Sequence, residues 1–546
     1  MKKFFAVLLA ALLFVTLMAG CSQTKDYIIS VDEEGETEVG DVVKTKIRTR
    51  KVTTVGNQQQ SADTGKTKYT TFQGQVTRTR AQGEKSSLKY TLLDDAGANY
   101  KVKGRVSIAV DTTRPTDSAA MFDVMQDLYP NIQFTFDYWA STLDRATEYL
   151  TTRMSTGTAA DIIWDDAGNM PFYIKNDWVY PITDYVAKDP EAKNIPANLK
   201  KDYTFCGELY AVSSMATFMT LCFNMDLMKQ LNLKMPALEW SLDDMENILR
   251  SSVKGFNDGA CVGMVDLFEI DDIANYYYAN ESSSKANYGD LAYNYDTRQV
   301  DVQYMYKGLL LFRKWRMMGN GTEGWFAAFQ RTGDQHLLSQ KLGVADYTTL
   351  WRTGKALMEY SNTGWVDQGV LGVNTPFTYV QHPCPNKDGN LMFHVNQCWI
   401  TTAVDKENLD AAFQALRFMT YTTNGNLVRL AMYDDANKGK YALNSSIFYP
   451  VTSNKAVLDK FNSLSVTGAF EEYLQKNIPN SRRHDTFKLQ PLEDLQAEFG
   501  DWINSVTDGT GTLEQGEELA AKVNKKIANE WAEFEATVKK NQAKYK

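Results

Sequence analysis

At 546 residues, 43% hydrophobic and 23% charged, the chain has the composition of a soluble globular protein with room for several domains. A net charge of -9 argues against nucleic acid as partner, because neutralising phosphates needs a basic face. Aromatics at 12%, with 29 Tyr and 11 Trp, are the conspicuous feature, since flat rings build binding surfaces.

From the amino terminus, Lys2 and Lys3 precede an apolar core over residues 4–18 that closes on small residues, the three-part pattern of a secretory signal; an uncleaved membrane anchor is the alternative. Leu17-Met18-Ala19-Gly20-Cys21 resembles a bacterial lipobox, with Met18 where that pattern usually carries Leu. The resemblance implies a lipoprotein signal peptide over 1–20 and lipidation of Cys21, whose two acyl chains would anchor the chain to the outer face of the cytoplasmic membrane. Residues 21–103 pass from an acidic patch (Asp32, Glu33, Glu34, Glu36, Glu38) to a basic one (Lys44, Lys46, Arg48, Arg50, Lys51) with few apolar residues, which predicts a tether, mostly disordered or small β. Alternation across 43–55 leaves open a basic sheet touching anionic polymer or lipid. Cys206, Cys222, Cys261, Cys384 and Cys398 lack metal-ligand spacing and read as core residues, with a Cys384–Cys398 bridge left open.

Globular sequence begins near Val102. A strand over 102–110, a helix over 118–128, a strand over 132–136, a helix over 143–154 and a strand over 161–163 predict a parallel sheet covered by helices. Residues 215–223 form an almost unbroken apolar run, bounded by Tyr210, Ser213 and Ser214 before it and by helical spacing at Leu227, Met228 and Leu231 after it. Such a run predicts a strand buried on both faces. Ser241 and Asp244 predict a capping box, with Trp240 stapled onto Met245. Residues 302–318 read as an amphipathic helix, 393–402 as a strand and 409–419 as a helix. Thr512 and Gln515 cap a closing helix with the stripe Leu519, Val523, Ile527 and Trp531.

In this order the segments resemble the extracellular family 1 solute-binding proteins of ABC transporters, which include maltodextrin-binding proteins. TGTAADII (156–163) is similar to the family's Gly-x-x-Pro-Asp-apolar element, with Ala160 at the Pro; WVYPITDY (178–185), PALEWSLDDM (236–245) and GKALMEYSNTGW (354–365) match further segments. Residues 207–233 resemble the crossover that carries the chain between lobes through the hinge. The resemblance implies an α/β, two-lobed periplasmic-binding-protein-like fold of type II with a hinged interlobe cleft. Lobe I would comprise 104–215 and 392–427, and lobe II 216–391 and 428–546. It also implies a monomer, without cofactor or metal, that captures a carbohydrate, foremost an oligosaccharide, for an ABC permease.

Polar and aromatic residues that follow buried strands lie at the ligand edge of such a sheet. In the first lobe these are Asp111, Thr112, Arg114, Trp139, Trp164, Asp165, Asp166, Ser213 and Ser214; in the second, Tyr276, Tyr277, Asn362 and Trp365; the returning segment adds Asn396 and Trp399. A sugar needs flat rings for its C–H faces and carboxylates or amides for its hydroxyls, and these residues supply both. By resemblance, the positions of Trp164, Asp165, Asp166 and Trp365 face the sugar. Trp240, Trp315, Trp502 and Trp531 read as packing, and Tyr276, Tyr277 and Tyr278 cannot all face one way. Adjacent aspartates at 165–166 or 271–272 do not suit glycosidases, whose two carboxyl groups flank the scissile bond about 5–9.5 Å apart. The four histidines show no ligand spacing, and no catalytic motif occurs. A glycan-active hydrolase and a surface glycan-binding adhesin or sensor remain the alternatives.

Overall fold

The apolar run becomes the middle of a 13-residue strand, Val212–Asn224, buried along almost its whole length. The structure, a computed structural model, describes residues 61–63, 67–72, 75–80, 85–111, 115–139, 143–165, 170–266, 270–282, 288–319, 326–328, 342–344, 348–363, 376–437, 449–483 and 495–545. All lie in the unit Ser61–Lys546. In chain order the strands are β1 (Ser61–Asp63), β2 (Thr67–Phe72), β3 (Gln75–Arg80), β4 (Gly104–Asp111), β5 (Ile132–Trp139), β6 (Ile162–Asp165), β7 (Thr204–Phe205), β8 (Glu208–Leu209) and β9 (Val212–Asn224). After them come β10 (Val262–Asp266), β11 (Tyr293–Asn294), β12 (Gln299–Val300), β13 (Phe326–Ala328), β14 (Ala356–Asn362), β15 (Tyr379–Pro383), β16 (Met392–Ile400), β17 (Tyr449–Pro450) and β18 (Arg482–Arg483).

The hydrogen-bonded order is β1-β2-β3-β5-β4-β6-β16-β9-β14-β10-β13; β15 and β17 also pair with β9, and β18 with β16. In the first lobe β4 is parallel to β5 and β6, and in the second β10 is parallel to β13 and β14, as strands joined through helices must be. β9 belongs to both lobes. Up to Phe218 it pairs with β16 and β17, and from Met219 onward with β14 and β15. At the changeover the Phe218 N–H donates to Thr363 Oγ1 at 3.0 Å, and the Thr363 N–H donates to the Phe218 carbonyl at 2.9 Å. Backbone groups that lose a ladder partner there are satisfied by one residue.

Apolar burial follows the same division. Ile108, Phe134, Ile163, Phe218, Trp399 and Leu416 share the first lobe's core. The second lobe's sheet separates Phe223, Trp240, Met264 and Met358 from Phe256, Val265 and Trp351, as alternation at Met264 and Val265 requires. Both predicted capping boxes form: Ser241 with Asp244 starts the helix Leu242–Asn257, and Thr512 with Gln515 starts Leu513–Gln542. Among the described residues no helix is long and apolar enough to cross a membrane.

Three expectations can be set beside the structure. Residues 21–103, expected as a tether, mostly disordered or small β, contain three short strands among the described residues. β1, β2 and β3 extend the first-lobe sheet through β3 and β5, while the basic alternation at 43–55 lies outside the described residues. Residues 85–103 lie along the first lobe as a strap, with Leu88 in the core, Tyr90, Leu92 and Val102 packed against it, and polar groups bracketing its backbone. Asn437 brackets the N–H and carbonyl of Lys89 at 3.0 and 2.9 Å, Asn424 those of Leu93 at 2.7 and 2.9 Å, and Gln414 the Asn99 N–H and Gly97 carbonyl at 3.0 and 3.2 Å. Asp95 makes a two-point pair with the buried Arg417, each bond 2.8 Å. Composition does not register such polar brackets, whose partners are distant in sequence. Secondly, the helices Leu495–Asp508 and Leu513–Gln542 pack into the first lobe's core through Phe499, Trp502, Ile527 and Phe534, where lobe II was expected. An apolar stripe says that a face is buried, not against which neighbour. Thirdly, Cys384 and Cys398 are both free and buried, as the core reading expects, and the bridge left open between them does not form.

Candidate functional site

Asp111 and Trp139 close β4 and β5 opposite one another, and Asp165 closes β6, so all three stand at the carboxyl edge where α/β sheets hold ligands. Their side chains, and all of Thr112, Arg114, Asp166 and Trp365, lie outside the described residues. β16 runs between β6 and β9 and sets Gln397 opposite Asp165 on one side and Ser213 on the other. One step along, Asn396 pairs with Met215, which leaves Ser214 as the extra residue of a β-bulge.

The bulge gives Ser214 its role. Its Oγ accepts the Trp164 indole N–H at 3.0 Å and donates to the Asn396 carbonyl at 3.1 Å. Trp164 is 7% exposed, with Phe122 edge-on at 6.3 Å and the Arg429 guanidinium 4.9 Å from its ring centroid. Trp164, Ser214 and Asn396 are therefore one bonded chain, with Ser213 beside it. The Ser213 hydroxyl and both amide atoms of the buried Gln397 have no hydrogen-bond partner among the described residues. A polar group so placed costs about 1–3 kcal/mol, so this row has hydrogen-bonding capacity to spare.

On the second lobe, Asn362 ends β14 opposite Met219, and its carbonyl accepts from Gln381 Nε2 at 3.3 Å. Tyr277 is half-buried; burial first, then the nearby carboxylates of Glu281 and Asp243, push its hydroxyl up to about 12. Near the end of β5, burial pushes the Asp137 carboxyl up, and the Tyr149 hydroxyl donating at 2.7 Å and the Arg153 charge only partly reverse it.

Two residues expected at the edge face inward instead. Trp399 is wholly buried, stacked on Tyr173 with ring centroids 5.7 Å apart, because its β16 position puts it under the helix Met170–Lys175. Tyr276 is in the second lobe's core, its hydroxyl 2.8 Å from Asn390 Oδ1 and 2.7 Å from the Leu391 carbonyl. Strand-end position alone does not tell a residue that faces the edge from one that faces a covering helix. Gln397 and Arg429 were missed. An amide in the run VNQCWI gave a faint signal through its polarity, but an arginine on a helix ordinarily reads as surface.

The described part of this row consists of buried hydroxyl, amide and indole groups backed by one guanidinium, beside the strand-end positions of Asp111 and Asp165. Among the described residues no three His, Cys, Asp or Glu side chains cluster as a metal site.

Solved structures with the same fold include the sugar-binding protein MalE from Xanthomonas citri (TM-score 0.57, 14% identity, 78% of this chain and 98% of that one). An ABC substrate-binding protein from Listeria monocytogenes in complex with cycloalternan also matches (TM-score 0.56, 15% identity, 78% and 99%). So does the cyclic alpha-maltosyl-1,6-maltose binding protein from Arthrobacter globiformis (TM-score 0.56, 12% identity, 78% and 99%). At such identities the likeness establishes the fold, the two-lobed type II architecture. No curated protein matches the chain. Residues 112–421, more than half of the sequence, match the profile of the bacterial extracellular solute-binding proteins, and the chain belongs to that family of transporter binding proteins rather than to an enzyme class.

Proposed function

We propose that this protein captures a carbohydrate, foremost an oligosaccharide, outside the cell and hands it to an ABC permease, held at the membrane by a lipid on Cys21. The observation that carries the reading is the row beside the bonded chain Trp164–Ser214–Asn396, where the Ser213 hydroxyl and the Gln397 amide have no hydrogen-bond partner among the described residues, on a fold whose solved examples include complexes with cycloalternan and maltotetraose. Such groups match a polyol's hydroxyls, and Trp139 and Trp365 are the rings proposed for the flat surfaces that sugars stack on. Bound between two lobes, a ligand favours closure only through contacts that the open form lacks.

The test is a thermal-shift and calorimetric screen against maltose, maltotetraose and cyclic glucans. A ligand at one hundred times its dissociation constant adds about 2.7 kcal/mol of stability. Trp365→Ala should weaken the tightest binder about tenfold, as loss of a stacking platform worth about 1–2 kcal/mol implies. Failure of every sugar to bind refutes the carbohydrate reading, and release of new reducing ends by pure protein would replace it with a hydrolase. Release of Cys21→Ala into the medium, against retention of the wild type on membranes, tests the anchor.

A further inference from the structure

We infer that Arg429 is a positioning residue for the candidate site, fixing the Trp164 ring and the Ser214 bulge as a single wall. Its consequence for binding rests on the carbohydrate reading, whereas its geometry does not. Arg429 lies on the helix Thr423–Ala431, beyond the segment that matches the family profile, and is 4% exposed.

All three of its side-chain nitrogens are in use. Nη1 donates to the Ser214 carbonyl at 3.1 Å, Nη2 to the Met419 carbonyl, and Nε to Met121 Sδ at 3.1 Å. The guanidinium also sits 4.9 Å from the centre of the Trp164 ring. One planar fork thus reaches the end of β6, the bulge of β9, and the helices Leu409–Met419 and Pro115–Leu128.

Trp164 is consequently held at three points: Arg429 over the ring, Ser214 on the indole N–H and Phe122 edge-on. Ser214 is held twice, through its hydroxyl to Asn396 and its carbonyl to Arg429. A bulge lacks part of the ladder that fixes ordinary strand residues, so its geometry depends on such outside bonds. An apolar side chain could fill the same space without the cost of burying a charge. It could not hold a carbonyl and an indole together. Lysine keeps the charge and loses the fork.

The full chain, labelled with 5-fluorotryptophan, reports on this directly. Trp164 is assigned by the signal missing from the fluorine NMR spectrum of Trp164→Phe, and the other ten tryptophans are internal controls. In Arg429→Met the Trp164 resonance should shift or broaden while the controls stay in place, and maltotetraose affinity should fall about tenfold or more. Arg429→Lys should change the same resonance in the same sense by less, and it decides the matter if Arg429→Met does not fold. A Trp164 resonance indifferent to both variants, or equal changes across all the tryptophans, overturns the proposal. If wild-type protein ignores maltotetraose while the resonance responds as expected, the sugar reading fails and the positioning role stands.

Discussion

The most heavily invested side chain in the first lobe is Arg417, wholly buried between Asp95 and Asp189, with the Tyr421 hydroxyl donating to the same Asp189 oxygen at 2.7 Å. Removing one partner of a buried pair leaves charges stranded, at about 3–5 kcal/mol. Arg417→Met should lower unfolding free energy by that amount in urea and expose residues 85–103 to protease; an unchanged urea midpoint would show the network to be dispensable. The second lobe has a counterpart in Glu246. Burial pushes its carboxyl up, but bonds from Lys314, Trp315 and Arg250 outweigh this and bring it down to about 2. A depressed carboxyl stabilises the fold above its unfolded value of about 4.3, and that contribution is lost as pH falls toward about 2. Asp189, raised by burial and lowered further by Arg417, acts in the same direction. The urea midpoint should therefore drop steeply below about pH 4.3, and less steeply in Glu246→Gln. The Arg417 network and the Lys314 and Trp315 contacts of Glu246 were not legible in the sequence, because those partners lie 322, 228, 68 and 69 residues away; only Arg250, four residues from Glu246, is a local pair.

Elements were more legible than residues wherever their signal was local. The capping box at Ser241, the apolar run of β9 and the stripe on Leu513–Gln542 are written within a few residues, and each formed as expected. The strap of 85–103 and the destination of the terminal helices depend on distant partners, and local pattern could not supply them. The link from β15 to β16 shows how much such segments rely on single positions. Gly389 has φ of 67°, and a Cβ there would lie 2.1 Å from Asn477 Oδ1. Gly389→Ala should cost about 1–3 kcal/mol through backbone strain together with that clash, read as a fall in melting temperature. Retention of the wild-type melting temperature would mean that the loop can relax away from Asn477.

At the scale of the molecule, family and fold were legible because several short segments occur in a fixed order, which constrains topology more than any one of them does. The inventory of edge residues was only partly so: Trp164, Ser214 and Asn396 come together, while Trp399 and Tyr276 serve the interior. The strand β9 carries a further implication. Because its two halves are central to different lobes, melting either lobe strips the other of an interior strand, and neither half of the gene could encode a self-sufficient product. Scanning calorimetry of the unliganded protein should accordingly trace one heat-absorption peak, with calorimetric and van't Hoff enthalpies in agreement. Two separable peaks would mean that each lobe survives the loss of its shared spine.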